Sequence, residues 1–401
     1  MSEDQFRDMP FKDALELAAR ENRVVIADFY TTWCESCKKL DKITWRNGKV
    51  KAWLKTNAVA VKIDAERNED AARRYSVRLY PTILILRRDG KELDRLVGCR
   101  DADTFLSEVK DALAGRDELT RLRDKIKNSG EEEPDLRMEL GNALAARGRN
   151  PEALKEYLWA FDKGRANPAF KGVRVSFLLD YIVGLGNVYP SAIGALKTRR
   201  ALLKRKLLTG AVDDDSISEL GSLNYYLKEP VESLVVYDSL VKSGKLSKQG
   251  KQRFGFHVFN PMLGKRRYGD IVSLYPDPLD VISRKKGEYI KQFDADYMKD
   301  KSRSERKRLM NNSKHYQIIQ MGKYYEAFLG ARKKELAEKI LEAILAFDSS
   351  GFTFNLLIGC ANRAGDRKTA DALVKRARSQ VGWWKWDQRK LISRAESAIT
   401  R

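Results

Sequence analysis

Trp33-Cys34-Glu35-Ser36-Cys37-Lys38 places two thiols three positions apart where a strand hands over to a helix, and the reading of the N-terminal part works outward from it. The preceding run, Val24-Val25-Ile26-Ala27-Asp28-Phe29-Tyr30, is short, apolar and β-branched, as strands are. The run that follows carries Leu40, Ile43 and Trp45 at helical spacing. The first cysteine therefore falls at a helix N-terminus. Unpaired backbone N–H groups and the positive end of the helix dipole favour a thiolate there, and can draw a thiol pKa from about 8.5 into the range of roughly 3.5–7.5. Two such sulfurs can close into one disulfide and reopen, which is redox chemistry. Half of a metal site and an inert pair are the competing readings. A metal needs more ligands than the neighbouring sequence supplies, so the redox-active dithiol is preferred and no metal or other cofactor is expected.

Around this stretch the pattern alternates. A leading helix is predicted over 10–20, strands over 24–30, 58–64, 82–87 and 92–97, and helices from 34, over 69–75 and over 101–113. The last two strands flank Arg88-Asp89-Gly90-Lys91, and Asp-Gly between apolar runs is a strong hairpin signal. Interleaved strands and helices closed by a hairpin imply a small α/β sheet covered on both faces. Pro81, directly before a strand, fits a rigid turn and a cis bond.

With Trp-Cys-x-x-Cys-Lys, Asp28 six residues before the first cysteine, and Tyr80-Pro81-Thr82 heading a strand, roughly residues 10–115 resemble the thioredoxin family. The three features agree in order and spacing, which makes the match far more specific than an isolated Cys-x-x-Cys. The resemblance implies roles. Cys34 matches the exposed attacking cysteine and Cys37 the buried resolving one. Asp28 matches the buried carboxylate that handles the second cysteine's proton, and Pro81 the cis-proline that shapes the substrate groove. Trp33 matches the tryptophan beside the site, while Tyr80 and Gly98 belong to the segments bordering the groove. Glu35-Ser36 replaces the family's usual Gly-Pro; the Glu35 charge should raise the Cys34 pKa somewhat, with Lys38 and Lys39 pushing the other way. Lys62 lies where the family often has a lysine near the buried Asp, but strand alternation can point it to the opposite face, so it is left out of the site. Cys99 in the loop Val97-Gly98-Cys99-Arg100 is read as a small loop-filling residue rather than a third redox thiol.

The organisation expected is a thioredoxin-like domain over 1–116, a charged linker over 117–134 that ends a helix and then hinges, and an all-α region over 135–401. Leu140-Gly141, Leu144, Gly148, Ala153, Tyr157 and Ala160 occupy the spaced small and large positions of a tetratricopeptide repeat. Leu220-Gly221, Ser233, Tyr237 and Leu240 repeat the frame, as do Leu357, Ala361, Gly365, Ala370, Val374 and Ala377. This part thus resembles a degenerate tetratricopeptide-type solenoid, although its repeat frame is unreadable between about 250 and 330.

Of the formal net charge of +21, residues 1–116 carry +3 and residues 117–401 carry +18. Basic runs at 197–206 and 299–307 invite a nucleic-acid reading, but no zinc-finger or aromatic RNA-binding motif supports it; solvated helix faces are the bland reading, and an acidic protein partner is preferred over nucleic acid. Gly184-Leu185-Gly186 reads as packing or a turn, and Asp213-Asp214-Asp215-Ser216 as a helix N-cap cluster. Trp383-Trp384-Lys385-Trp386 reads as a cap on the open end of a helical stack, and Cys360 as a small buried hydrophobe. Four cysteines, no apolar leader run and no membrane-length apolar stretch predict a protein of a reducing cytoplasm without a membrane contact. The functional expectation is a thiol–disulfide oxidoreductase acting on disulfides of protein clients recruited by the helical repeats. The alternative is a non-catalytic interaction scaffold whose thioredoxin-like module only binds.

Overall fold

The computed structural model describes residues 5–129, 133–292, 298 and 301–380. The Trp383–Trp386 cluster lies outside them. The chain divides into two compact units, Met1–Arg199 and Arg200–Arg401.

The first unit opens with α1 (Phe11–Glu21), β1 (Val24–Tyr30) and α2 (Glu35–Leu40), which runs on as a π-helical turn over Asp41–Trp45. Next come α3 (Gly48–Asn57), β2 (Ala58–Asp64), α4 (Glu69–Arg74), β3 (Thr82–Leu86), β4 (Glu92–Val97) and α5 (Ala102–Leu113). The four strands form one sheet in the order β2-β1-β3-β4, with β1 and β2 parallel and the other pairs antiparallel. Strand alternation sends side chains to two faces. Ile26, Ile83, Ile85 and Leu96 meet Leu40, Val50 and Phe105 from α2, α3 and α5, while Val25, Ala27, Phe29 and Leu84 meet Ala14 and Ala18 of α1 and Ala72 of α4. The expected α/β sheet covered on both faces is thus observed.

Within the stretch expected to be a charged linker, residues 118–128 instead form a packed helix, α6 (Glu118–Asn128), capped by Asp117 and burying Leu119, Leu122 and Ile126. The reason is Asp94 on β4, whose side chain is fully buried. It accepts from Arg121 Nη2 at 3.0 Å, from the Glu118 N–H at 3.1 Å, and from Arg147 Nη2 at 2.7 Å at the end of α7 (Pro134–Ala146). Arg95 adds a bond to the Ala146 carbonyl while its guanidinium grips Glu92 and the Tyr75 carbonyl. Charges that resemble a solvated tether in sequence are here spent on fastening a helix to a sheet edge.

α7 pairs with α8 (Asn150–Lys163), and their crossing is close: a Cβ on Gly141 would lie 2.5 Å from the Tyr157 ring, so only glycine fits. The short α9 (Lys171–Arg174), α10 (Phe177–Gly186) and α11 (Ser191–Thr209) follow, the division between the units falling inside α11.

The second unit is helical throughout its described residues: α12 (Asp214–Tyr226), α13 (Val231–Lys242), α14 (Lys248–Gly264), α15 (Tyr268–Leu274), α16 (Pro278–Lys291), α17 (Arg303–Gly330), α18 (Lys334–Phe347), α19 (Gly351–Ala364) and α20 (Arg367–Ser379). Helices touch their sequence neighbours and also the next but one, as α12 touches α14 and α17 touches α19, which is how stacked hairpins share a core. Asp213 caps α12, its carboxylate accepting from the Ser216 N–H at 2.7 Å. Cys360 is buried as expected, but it also receives Arg363 Nη2 at 3.2 Å, and the same guanidinium pairs with Glu326. In the basic run on α11, Arg200, Lys204 and Lys206 pair with Glu229, Glu232 and Asp213. No described helix is long and apolar enough to cross a membrane.

Removing one member of a buried, hydrogen-bonded ion network leaves the others desolvated and unpaired, at a cost of about 3–5 kcal/mol. Asp94→Ala is therefore expected to destabilise the first unit by that order in urea unfolding, and to raise amide exchange over 118–128 well above that over β1.

Candidate redox site

β1 ends at Tyr30 and the chain turns so that the Cys34 N–H meets the Thr31 carbonyl at 3.3 Å. Cys34 is the N-cap of α2, and its Sγ accepts from the Cys37 N–H at 3.1 Å. A backbone donor and a helix N-terminus thus converge on one sulfur, the arrangement that stabilises a thiolate. Cys34 and Cys37 are joined by a disulfide, with Cα atoms 5.3 Å apart. The expected contrast between an exposed Cys34 and a buried Cys37 is absent in this closed state, where their residues are 6% and 5% exposed. Trp33 beside them is 65% exposed.

Trp33 is held by its Nε1 donating to Glu66 Oε1 at 3.0 Å and by an edge-to-face contact with Tyr80, ring centroids 6.3 Å apart. The Tyr80–Pro81 bond is cis. The Gly98 N–H donates to the Pro81 carbonyl at 2.8 Å, and Gly98 has φ of +91°, a region open to glycine and strained for other residues. Trp33, Tyr80, Pro81 and Gly98, expected together from the resemblance, form one contact chain. Nearby, Glu35 pairs with Lys38 at 2.8 Å, so the two charges expected to act on Cys34 in opposite directions largely cancel each other. The half-buried Cys99 has its thiol pushed up by burial, with Lys39 partly opposing the rise.

Asp28 is buried on the α2 side of the sheet. Its Oδ2 accepts from Trp45 Nε1 at 2.9 Å and lies 3.8 Å from Lys62 Nζ, while Oδ1 has no hydrogen-bonding partner. Desolvation raises its pKa to about 6, against the opposing pull of Lys62 and Trp45. Lys62 is a correction to the sequence reading. Asp28 and Lys62 are register partners in the parallel β1/β2 pair and share a face. The signal was available: both strands are seven residues long, and aligning their first residues sets position 28 opposite 62. Asp41, in the π-helical turn, forms the closer ion pair with Lys62 and so competes with Asp28 for its charge. Trp45, read from sequence only as a helix core residue, packs edge-on to Phe6 and Phe105 and delivers the hydrogen bond to Asp28. Nothing in residue spacing reveals that second role.

A family model described as a thioredoxin-like domain matches residues 11–113. The chain is similar to the thioredoxin of Echinococcus granulosus, 34% identical over 94 residues that cover 22% of this chain and 79% of that one. It is also similar to the thioredoxin of Mycobacterium tuberculosis, 33% identical over 92 residues covering 23% and 76%. Among solved structures, a thioredoxin from Thermus thermophilus matches at 26% identity and a TM-score of 0.26, covering 27% of this chain and 88% of that chain.

Because its folded pKa lies above the unfolded 3.8, Asp28 contributes stability that is present below about pH 4 and lost as pH rises through about 6. Asp28→Asn removes that penalty and keeps an acceptor for Trp45. It is expected to be more stable than the parent at pH 8 by up to about 3 kcal/mol, at about 1.4 kcal/mol per pKa unit. At pH 3.5 the two should unfold at the same urea concentration.

Proposed function

The chain belongs to the thioredoxin family through residues 11–113, and from that premise we propose that it reduces or exchanges disulfides of protein clients through the Cys34/Cys37 couple. The Cys34 thiolate attacks one sulfur of a client disulfide; that S–S bond breaks, one client sulfur leaves as thiolate, and the other is held in a mixed disulfide. Cys37 then gives its proton to ionised Asp28 and attacks Cys34 Sγ, forming the Cys34–Cys37 bond and releasing the second client thiolate. The client gains two electrons and the couple loses them, so a separate dithiol reductant must return the couple to its reduced state. The dithiol itself carries the electrons, and no bound cofactor enters the scheme. The single observation behind this reading is a bonded pair of sulfurs at a helix N-terminus that follows a strand carrying a buried carboxyl, Asp28, whose pKa burial raises to about 6.

Trp33, Tyr80, Pro81 and Gly98 act as the groove that holds backbone beside the client disulfide. The helices beyond α6 are read as tetratricopeptide-type hairpins that recruit the client and raise the effective concentration of its disulfide. Their net positive charge favours an acidic protein partner. Nucleic acid is disfavoured, since three cations of the α11 run are engaged by acidic side chains of the same chain. A reducing, cytoplasmic setting suits a couple that must be re-reduced after each turnover.

With Cys34→Ser, reduction of a protein disulfide should fall to the uncatalysed rate, whereas Cys37→Ser should accumulate client in mixed disulfide with Cys34, visible on non-reducing gels. Unimpaired turnover by Cys34→Ser would overturn the catalytic assignment, and a parent chain that binds client without turnover would favour the scaffold reading. The rate of resolving that mixed disulfide in the parent should rise with pH through about 6, as Asp28 ionises to accept a proton. Asp28→Asn should slow it by about a hundredfold and flatten that limb of the profile in stopped-flow traces.

A further inference from the structure

We propose that the cleft walled by the 76–82 loop, the loop after β4 and helices α6, α7, α8 and α10 binds an extended client segment through its apolar side chains. The occupant is the stretch of client chain running away from the disulfide presented to Cys34, so the inference rests on the redox reading above.

Position comes first. Leu79 and Thr82 line the cleft and flank Tyr80–Pro81, while Val97 and Arg100 line it and flank Gly98. The two loops that border the redox groove therefore also form one wall of the cleft. They are tied together by the Gly98 N–H on the Pro81 carbonyl, and the Thr82 hydroxyl donates to the Leu79 carbonyl at 2.7 Å. The redox groove and the cleft thus share these two loops. The volume, about 740 Å³, lies within the range of roughly 300–1,000 Å³ typical of built ligand sites.

The surface chemistry suits apolar groups. Leu79 is 59% and Val188 46% exposed, and Tyr181, stacked on Tyr157 with centroids 6.3 Å apart, adds an aromatic face to the lining. Such a cluster of exposed apolar groups in a concavity marks a contact site. Three of the lining cations are paired, Arg95 with Glu92, Arg100 with Glu108 and Arg121 with Asp94, while Arg78 and Lys125 also line the cleft. One polar demand remains. Asn150, also in the wall, has a buried amide oxygen without a hydrogen-bonding partner, which a backbone N–H of an extended segment would satisfy. The helical part of the cleft belongs to α6–α10, and so to helices this chain adds after its thioredoxin-like domain.

Two substitutions test the cleft without touching the dithiol. Gly184 lines it from α10, and a Cβ there would meet nothing within 4 Å, so Gly184→Trp fills the space without backbone strain; Val188→Asp puts a carboxylate on the apolar floor. The probes are short fluorescein-labelled peptides with serine in place of the client cysteine, flanked on both sides by Leu, Phe and Val in one and by Gly and Ser in the other. Anisotropy titration of the full chain should show the apolar peptide binding about tenfold or more tightly, the equivalent of burying one apolar side chain. Each variant should bring that ratio near one while its thermal unfolding stays cooperative. Equal affinities in the parent, or a ratio unchanged in both variants, would overturn the proposal. Reduction of hydroxyethyl disulfide by the parent tests the redox reading separately. A chain that prefers the apolar peptide through the cleft but cannot turn over that small disulfide would retain the peptide site and lose the enzyme.

Discussion

Seven residues of parallel pairing, Val24–Tyr30 against Ala58–Asp64, hold the rest of the site in place. In that register Asp28 and Lys62 share a face, and a slip of one residue would carry every side chain of one strand to the opposite side of the sheet. The same strand end sets the turn from which Cys34 starts α2, so the position of the sulfur and of the carboxyl derive from one backbone ladder. β3 then lies antiparallel to β1, which brings the start of β3, and with it Tyr80–Pro81, to the end of β1 where the dithiol sits.

Two buried aspartates show how burial serves opposite ends. Asp94 is saturated, with guanidinium groups of Arg121 and Arg147 and backbone N–H groups of Arg95 and Glu118 around it. A carboxylate so satisfied binds elements together. Asp28 has one indole donor, a lysine nearly 4 Å away and an oxygen left without a partner. Its ionised form is costly, and that cost is what moves its proton affinity toward neutrality. Asp41 sharpens the difference by drawing Lys62 toward itself. The under-satisfied carboxyl is the one whose proton affinity burial raises, whereas the fully satisfied one fastens α6 and α7 to the sheet.

The α6 clamp changes how the chain is to be divided. Dense charge between Asp117 and Pro134 has the composition of a hinge, yet over 118–128 it is amphipathic, with Leu119, Leu122 and Ile126 at helical spacing on the buried side. Rigid attachment of α6 and α7 to β4 gives the cleft beside the redox loops a defined wall. A mobile tether could not hold Tyr181, Val188 and Leu79 around one space.

Local signals carried most of the first domain. Apolar runs of seven residues, the Asp-Gly turn and the Cys-x-x-Cys at a strand end were legible because strand and helix periodicity are properties of adjacent residues. Gly141 was legible as a close crossing for the same reason, being part of a spaced frame, although its contact with Tyr157 is a tertiary fact. What depended on partners distant in the chain was decided only by the fold. Lys62 joined Asp28 through strand register, Trp45 reached its carboxylate from a π-helical turn, and residues 118–128 became structure through an aspartate on β4. The sulfur spacing was written in six consecutive residues; the proton affinity of Asp28 required desolvation by side chains gathered from across the domain, and no linear pattern encodes that.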